Sequence, residues 1–137
     1  MDDKTAANYL QILQETGLIR LLESPGRGHA LIRKHKKTFL DNTTLHHAIC
    51  HGLGQAVDPG AIRELFFLQA TGNAGHAVVS SDLGGDFKIG PHLFEVGGRN
   101  KGRSQLPKAS QSEYVVKDDI LVGSKRTLPL YLFGFLY

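Results

Sequence analysis

Gly85-Asp86-Phe87-Lys88-Ile89 and Leu93-Phe94-Glu95-Val96, joined across Gly90-Pro91, decide how this chain is read. Two short apolar runs separated by a turn signal predict a β-hairpin with a two- or four-residue loop. Pairing then sets Phe87 opposite Phe94 and Asp86 opposite Glu95. Side chains alternate across a strand, so Phe87, Ile89, Phe94 and Val96 share a buried face, and the two acids share the other. Cβ atoms of such a pair lie roughly 5 Å apart, and like charges at that distance destabilise a sheet. A divalent metal, a shared proton or a fixed Lys or Arg must therefore accompany Asp86 and Glu95. Arg99, Lys101 and Arg103 follow closely.

Working outward, Asp58-Pro59 is a helix start, a capping residue followed by proline at the first helical position. The helix it opens carries Ile62, Leu65, Phe66 and Leu68 and stops at Gly72. Asp41 or Asn42 caps an earlier helix through Leu45, Ala48, Ile49 and Leu53. Strands are predicted near 76–80, 85–89, 92–97 and 113–117. The aromatic, β-rich end, 128–137, reads as a final strand or an extended segment docked on the core. Helix, strands and a late mixed segment together predict an α/β or α+β domain.

Residues 5–16 predict a helix closed by Gly17, followed by a strand at 18–22, a turn at Pro25-Gly26 and a second strand at 30–32. A basic run, 33–37, precedes a further short strand at 38–40. A helix followed by a β-hairpin is the tail of a winged-helix unit without its leading helices. Residues 1–41 are accordingly read as a partial winged-helix element docked on a domain at 42–137.

At 137 residues the chain can bury one core, and a 21% charged composition is ordinary for a globular protein. Its net charge of +3 permits a polyanionic partner without requiring one. The single cysteine, Cys50, excludes an intramolecular disulfide and is expected to be a small core residue in a reducing compartment. No signal peptide is visible, and the apolar C-terminus is too short to span a bilayer as a helix, so the cytoplasm is the expected location. His47 and His51 have a usable zinc spacing on one helix face, but no third ligand can be assigned.

Several stretches resemble the C-terminal domain, of unknown function, found in a group of prokaryotic AAA-type ATPases. They are 60–67, Gly85-Asp86-Phe87, and Phe94-Glu95-Val96-Gly97-Gly98-Arg99-Asn100-Lys101. The ending from Leu128 to Tyr137, after Lys117-Asp118-Asp119-Ile120, carries the same resemblance. Lys37-Thr38-Phe39-Leu40-Asp41-Asn42 looks like the junction that follows the winged-helix part of those proteins. Such domains are similar in turn to the PD-(D/E)xK nucleases. That resemblance implies a restriction-endonuclease-like mixed sheet flanked by helices, with Mg²⁺ or Mn²⁺ held by Asp86 and Glu95. It also implies a supporting helix acid at Glu64 and a glutamine at Gln105.

The motif departs from the family where its lysine belongs. Gly97 stands two residues after Glu95 and carries no amine. Lys101 can replace it only if the chain reverses at Gly97-Gly98, since six extended residues carry it about 20 Å away. No G-x-x-x-x-G-K-[ST] occurs, so no ATP site of that kind is expected in this chain.

The leading expectation is a non-catalytic accessory domain of an AAA-type ATPase, binding nucleic acid or a protein partner. Arg99, Lys101, Arg103, Lys34, Lys36 and Lys37 would meet DNA or RNA phosphates. The alternative is a Mg²⁺-dependent nuclease using Glu64, Asp86, Glu95, Lys101 and Gln105. A homo-oligomeric structural module is a third reading, suggested by the apolar C-terminal segment.

Overall fold

Asp58 and Pro59 open the helix on which the structure is assembled. The computed structural model describes residues 2–23, 35–106 and 112–136. The Asp58 carboxylate accepts from the Gly60 and Ala61 amides at 3.2 and 3.0 Å. Pro59 takes a position where a missing N–H costs nothing. Among the described residues the α-helices are α1 (Asp3–Glu15), α2 (Thr43–Gly52) and this one, α3 (Pro59–Asn73). Leu65, Phe67, Leu68, Ala70 and Thr71 form the buried side of α3. The Thr71 hydroxyl donates to the Phe67 carbonyl at 2.7 Å, so no polar atom there is orphaned.

That side covers a mixed sheet of β3 (Val78–Ser80), β4 (Phe87–Ile89), β5 (His92–Gly97), β6 (Glu113–Lys117) and β7 (Thr127–Pro129), in that spatial order. The first three strands are antiparallel neighbours, and β5, β6 and β7 run parallel. The α/β architecture expected from the sequence is therefore present. The central hairpin is present too, with Phe87 opposite Phe94 and Ile89 opposite His92 across Gly90-Pro91. Gly90 has φ of 57°, the left-handed conformation that a tight turn asks of glycine. Phe67 is the centre of the core: its ring lies 5.2 Å from Phe87, 5.2 Å from Phe94 and 4.8 Å from Phe133. Val96, Val116 and Leu130 complete the cluster.

The N-terminal element is built into the same core. Strands β1 (Ile19–Glu23) and β2 (His35–Leu40) form a two-stranded antiparallel sheet, with Ile19 opposite Leu40 and Leu22 opposite Lys37. Leu22 is buried in the Phe67 cluster and Phe39 packs against it. Ser80 Oγ donates to the Glu23 carbonyl at 3.1 Å, tying β3 to β1. The strand that pairs with β1 is thus the one expected around 38–40. The expected turn at 25–26 and strand at 30–32 lie outside the described residues.

Two expectations need correction. The C-terminal segment is neither one strand nor extended: three residues of β7 are followed by a 3₁₀ helix, Leu130–Phe135. Pro129 brings no N–H to the ladder, and three residues per turn then align Leu130 with Phe133, both of which reach the core. Cys50 is half-buried rather than a core residue, because α2 buries no residue fully. Among the described residues, no helix is long and apolar enough to cross a membrane.

Candidate active site

Alternation along β5 sends Phe94 and Val96 toward α3, and sends Leu93, Glu95 and Gly97 to the opposite face. Parallel register places Glu113, Val115 and Lys117 of β6 beside them. Leu106 packs on Leu93 and Val115, so this face is covered and Glu95 is 0% exposed. Neither Glu95 oxygen receives a hydrogen bond among the described residues. Among the described residues its ion-pair partner is Lys101 Nζ, 3.2 Å from Oε1. That distance makes an ion pair, but the angles miss those of a hydrogen bond, so the carboxylate keeps its acceptor capacity.

Lys101 arrives there because β5 stops at Gly97 and the chain reverses at once. The Lys101 amide donates to the Gly98 carbonyl at 2.9 Å, closing the turn. The side chain then folds back over the strand. A Cβ added to Gly97 would stand 2.6 Å from Lys101 Cγ and Cδ and 2.8 Å from its Cβ. Real carbon atoms do not approach so closely. The Lys101 stem therefore occupies the space of a side chain at position 97, and only glycine leaves room for it.

Asp86 precedes the paired part of β4, so the expected direct pairing with Glu95 in the ladder does not extend to it. Its amide bonds the Phe94 carbonyl at 2.8 Å, one residue off the register of Phe87 and Phe94. The neighbouring Gly85 (φ 75°) permits this, since an added Cβ there would lie 2.9 Å from the Phe94 carbonyl oxygen. Asp86 Oδ2 accepts the Val96 amide at 2.8 Å, taking over a ladder bond. Its other oxygen, Oδ1, lies 3.3 Å from Lys37 Nζ. The same ammonium is 3.0 Å from Glu64 Oε2 on α3 and 5.3 Å from the centroid of the Phe87 ring. The two acids thus have separate cations, Lys37 for Asp86 and Lys101 for Glu95.

The structure joins Glu64 of α3 to Asp86 through Lys37, and separately pairs Glu95 with Lys101 on the sheet face turned away from α3. Gln105 stands apart in function: its side chain is exposed, and its backbone carbonyl accepts the Gly85 amide at 2.9 Å. Arg99 Nε donates to the Asp119 carbonyl at 3.0 Å, and Arg103 pairs with buried Glu113 at 2.8 Å. Both are engaged at the rim rather than standing as free cations. Lys37, expected among the phosphate contacts, is instead a bridge between carboxylates. Lys34 and the side chain of Lys36 lie outside the described residues. His47 and His51 are exposed, and no group of three or more His, Cys, Asp or Glu side chains gathers around a metal position among the described residues.

Sequence reasoning missed Arg63, whose guanidinium joins α3 to Asp118 at 2.9 Å and lies over Gly98 at the turn that returns Lys101. Position 98 carried the signal, because glycine there lets an arginine pass close to the backbone. Comparison with protein-family models, curated proteins and solved structures finds no match to this chain.

Proposed function

We propose that this chain is a metal-dependent phosphodiester hydrolase of the restriction-endonuclease-like type. One observation carries the reading: Lys101 fills the space over Gly97 and stands 3.2 Å from Glu95. The accessory-domain expectation rested on an amine missing from position 97, and an amine is supplied from four residues further on.

Glu95 would hold the ion, and Asp86 would join it only by giving up the Lys37 ammonium at Oδ1, since its Oδ2 accepts the Val96 amide. Buried Glu95 has two oxygens without hydrogen bonds, and an all-oxygen donor pair suits Mg²⁺ or Mn²⁺. Such an ion, when bound, polarises the phosphoryl oxygen and eases deprotonation of water. Lys101 holds the attacking water by donating to it and offsets negative charge developing on the phosphoryl oxygens. Glu64 anchors Lys37 beside Asp86, so the Asp86 carboxylate keeps its orientation. Arg99 and Arg103, at the rim, give the polyanion a place to lie, and binding there weakens with salt.

Incubating the purified chain with single- and double-stranded DNA and RNA, with Mg²⁺ or Mn²⁺, tests this reading. The wild type cleaves, and Lys101→Ala lowers the rate by about 100-fold, the scale of a lost charge stabiliser. Gly97→Lys placed in a Lys101→Gly background recovers at least tenfold over Lys101→Gly alone, since removing the Lys101 Cβ, Cγ and Cδ leaves room for a lysine from the strand itself. No ion-dependent cleavage by the wild type, or cleavage indifferent to Lys101 and Glu95, refutes the proposal.

A second reading has its own support. Asp86 and Glu64 are already compensated by Lys37 without any metal, as a fold that had lost its chemistry would require. On that reading the chain is the non-catalytic accessory domain of an AAA-type ATPase and binds nucleic acid or a protein. Retention of nucleic-acid binding with no cleavage would favour it.

A further inference from the structure

Leu121, Val122 and Phe135 are the most exposed large apolar residues among those described, at 83, 84 and 79%. Tyr131, Leu132 and Leu136 stand close to half exposed beside them. The two segments that carry these side chains are fixed to each other: the Tyr131 hydroxyl donates to the Leu121 carbonyl at 3.0 Å. Each is also anchored on its own. Leu130 and Phe133 hold one edge of the 3₁₀ helix in the core, and three residues per turn leave Tyr131, Leu132 and Phe135 on the other edges. Beyond the Leu121-Val122 tip, Ser124 and Thr127 exchange backbone hydrogen bonds at 2.8 and 3.3 Å. Only glycine fits at 123, because an added Cβ would run into the Thr127 carbonyl and the Pro129 ring.

The size of this patch is informative. A fully exposed side chain of this class presents roughly 150–200 Å², so the six residues together offer about 600–750 Å². The largest apolar patch on an ordinary monomer is about 300–600 Å². Each partner in a standard protein interface contributes about 800 Å². Two copies of the patch, face to face, would bury about 1,200–1,500 Å², inside the range of specific, stable complexes.

Its chemistry selects the occupant. No Asp, Glu, Lys or Arg occurs from 127 to 137 or in Ile120-Leu121-Val122-Gly123. A polyanion therefore finds no cation within the patch. Across a two-fold axis a surface meets its own copy, so a patch of one charge would face like charge, and an uncharged patch avoids that cost. Homodimer interfaces are richer in apolar area than those of transient partners. The Tyr131 hydroxyl already has its acceptor, so covering the patch strands no donor there.

We propose that this patch is the interface of a two-fold dimer, in which the 3₁₀ helix and the Leu121-Val122 tip of one copy pack on those of a second. The inference goes beyond the hydrolase reading and stands independently of it, since neither Glu95 nor Lys101 takes part.

Sedimentation velocity of the full chain, from about 1 to 300 µM, tests it. The wild type passes from one chain to two as concentration rises, and about 1 M NaCl does not reverse the association, because screening acts on charges and the contact has none. Phe135→Glu and Leu121→Glu each weaken association at least tenfold by placing a charge in the apolar contact. Ile12→Glu alters a residue of α1 that is exposed but outside the patch, and it leaves the dimer intact. Circular dichroism establishes that each variant is folded; should either patch variant not fold, the unaltered chain still decides. A wild type that is monomeric at every concentration overturns the inference, and its flotation with phosphatidylcholine vesicles would assign the patch to a lipid surface instead. Dimers that survive both patch substitutions, or that only Ile12→Glu dissolves, overturn it as well. So do species that keep growing with concentration, since a two-fold contact closes at two copies.

Discussion

Replacing Lys101 with methionine keeps a hydrocarbon stem over Gly97 and removes the charge beside Glu95. The carboxylate left behind is 0% exposed and accepts no hydrogen bond from any described group. At the observed 3.2 Å, the lost attraction is about 5 kcal/mol for an effective dielectric constant near 20. The lysine side chain is itself 28% exposed, so water screens part of this, and breaking buried pairs costs about 3–5 kcal/mol even without such screening. We expect Lys101→Met to destabilise the fold by about 2–3 kcal/mol at neutral pH. With a urea dependence of about 1–3 kcal/mol per molar, the unfolding midpoint falls by about 0.7–3 M. In a Glu95→Gln background the same substitution should cost less than about 1 kcal/mol, because no charge is left uncompensated. A double-mutant cycle by urea unfolding measures the difference. If the two changes add to within about 0.5 kcal/mol, Lys101 and Glu95 are not energetically coupled and the account of the site is wrong.

Gly97→Ala forces the Lys101 stem off the strand, since 2.6 Å contacts fall about 1 Å short of ordinary packing. A stability loss of about 1–3 kcal/mol by chemical denaturation should accompany loss of any ion-dependent cleavage. The Thr5 amide holds the Asp2 carboxyl below its ordinary range as it caps α1. A depressed folded value means the cap stabilises α1 above the ordinary carboxylate value and is lost as pH falls through the depressed one. Exchange protection of the first-turn amides of α1, relative to their intrinsic rates, should therefore fall below about pH 4, and Asp2→Ala should abolish that dependence.

Much of the fold could be read from local patterns. Asp58-Pro59 announced α3 because capping is a contact between neighbours in sequence. Phe87 and Phe94 announced their pairing because a two-residue turn fixes register. The reversal bringing Lys101 back was legible as a permission, in the two glycines that precede it, but its realisation depends on Arg63 lying over Gly98. Lys37 was legible as part of a basic run, a phosphate contact and the start of a junction stretch, but not as a partner of Glu64 and Asp86. Its partners lie 27 and 49 residues away, and no spacing rule connects a strand of one sheet to acids on a helix and on another sheet. The one-residue slip at Asp86 was hidden for a similar reason. Strand alternation assumes the ladder continues, whereas Gly85 ends it where a side chain replaces a backbone acceptor.

Leu22 and Phe39 reach the same ring cluster as Phe67 and Phe87, while Lys37 projects from the strand that carries Phe39. The strand pair is thus a keystone as well as a source of charge. Prising it loose bares aromatic surface to water and strips the acids of their counter-ion in a single event, so structural failure and electrostatic failure arrive together.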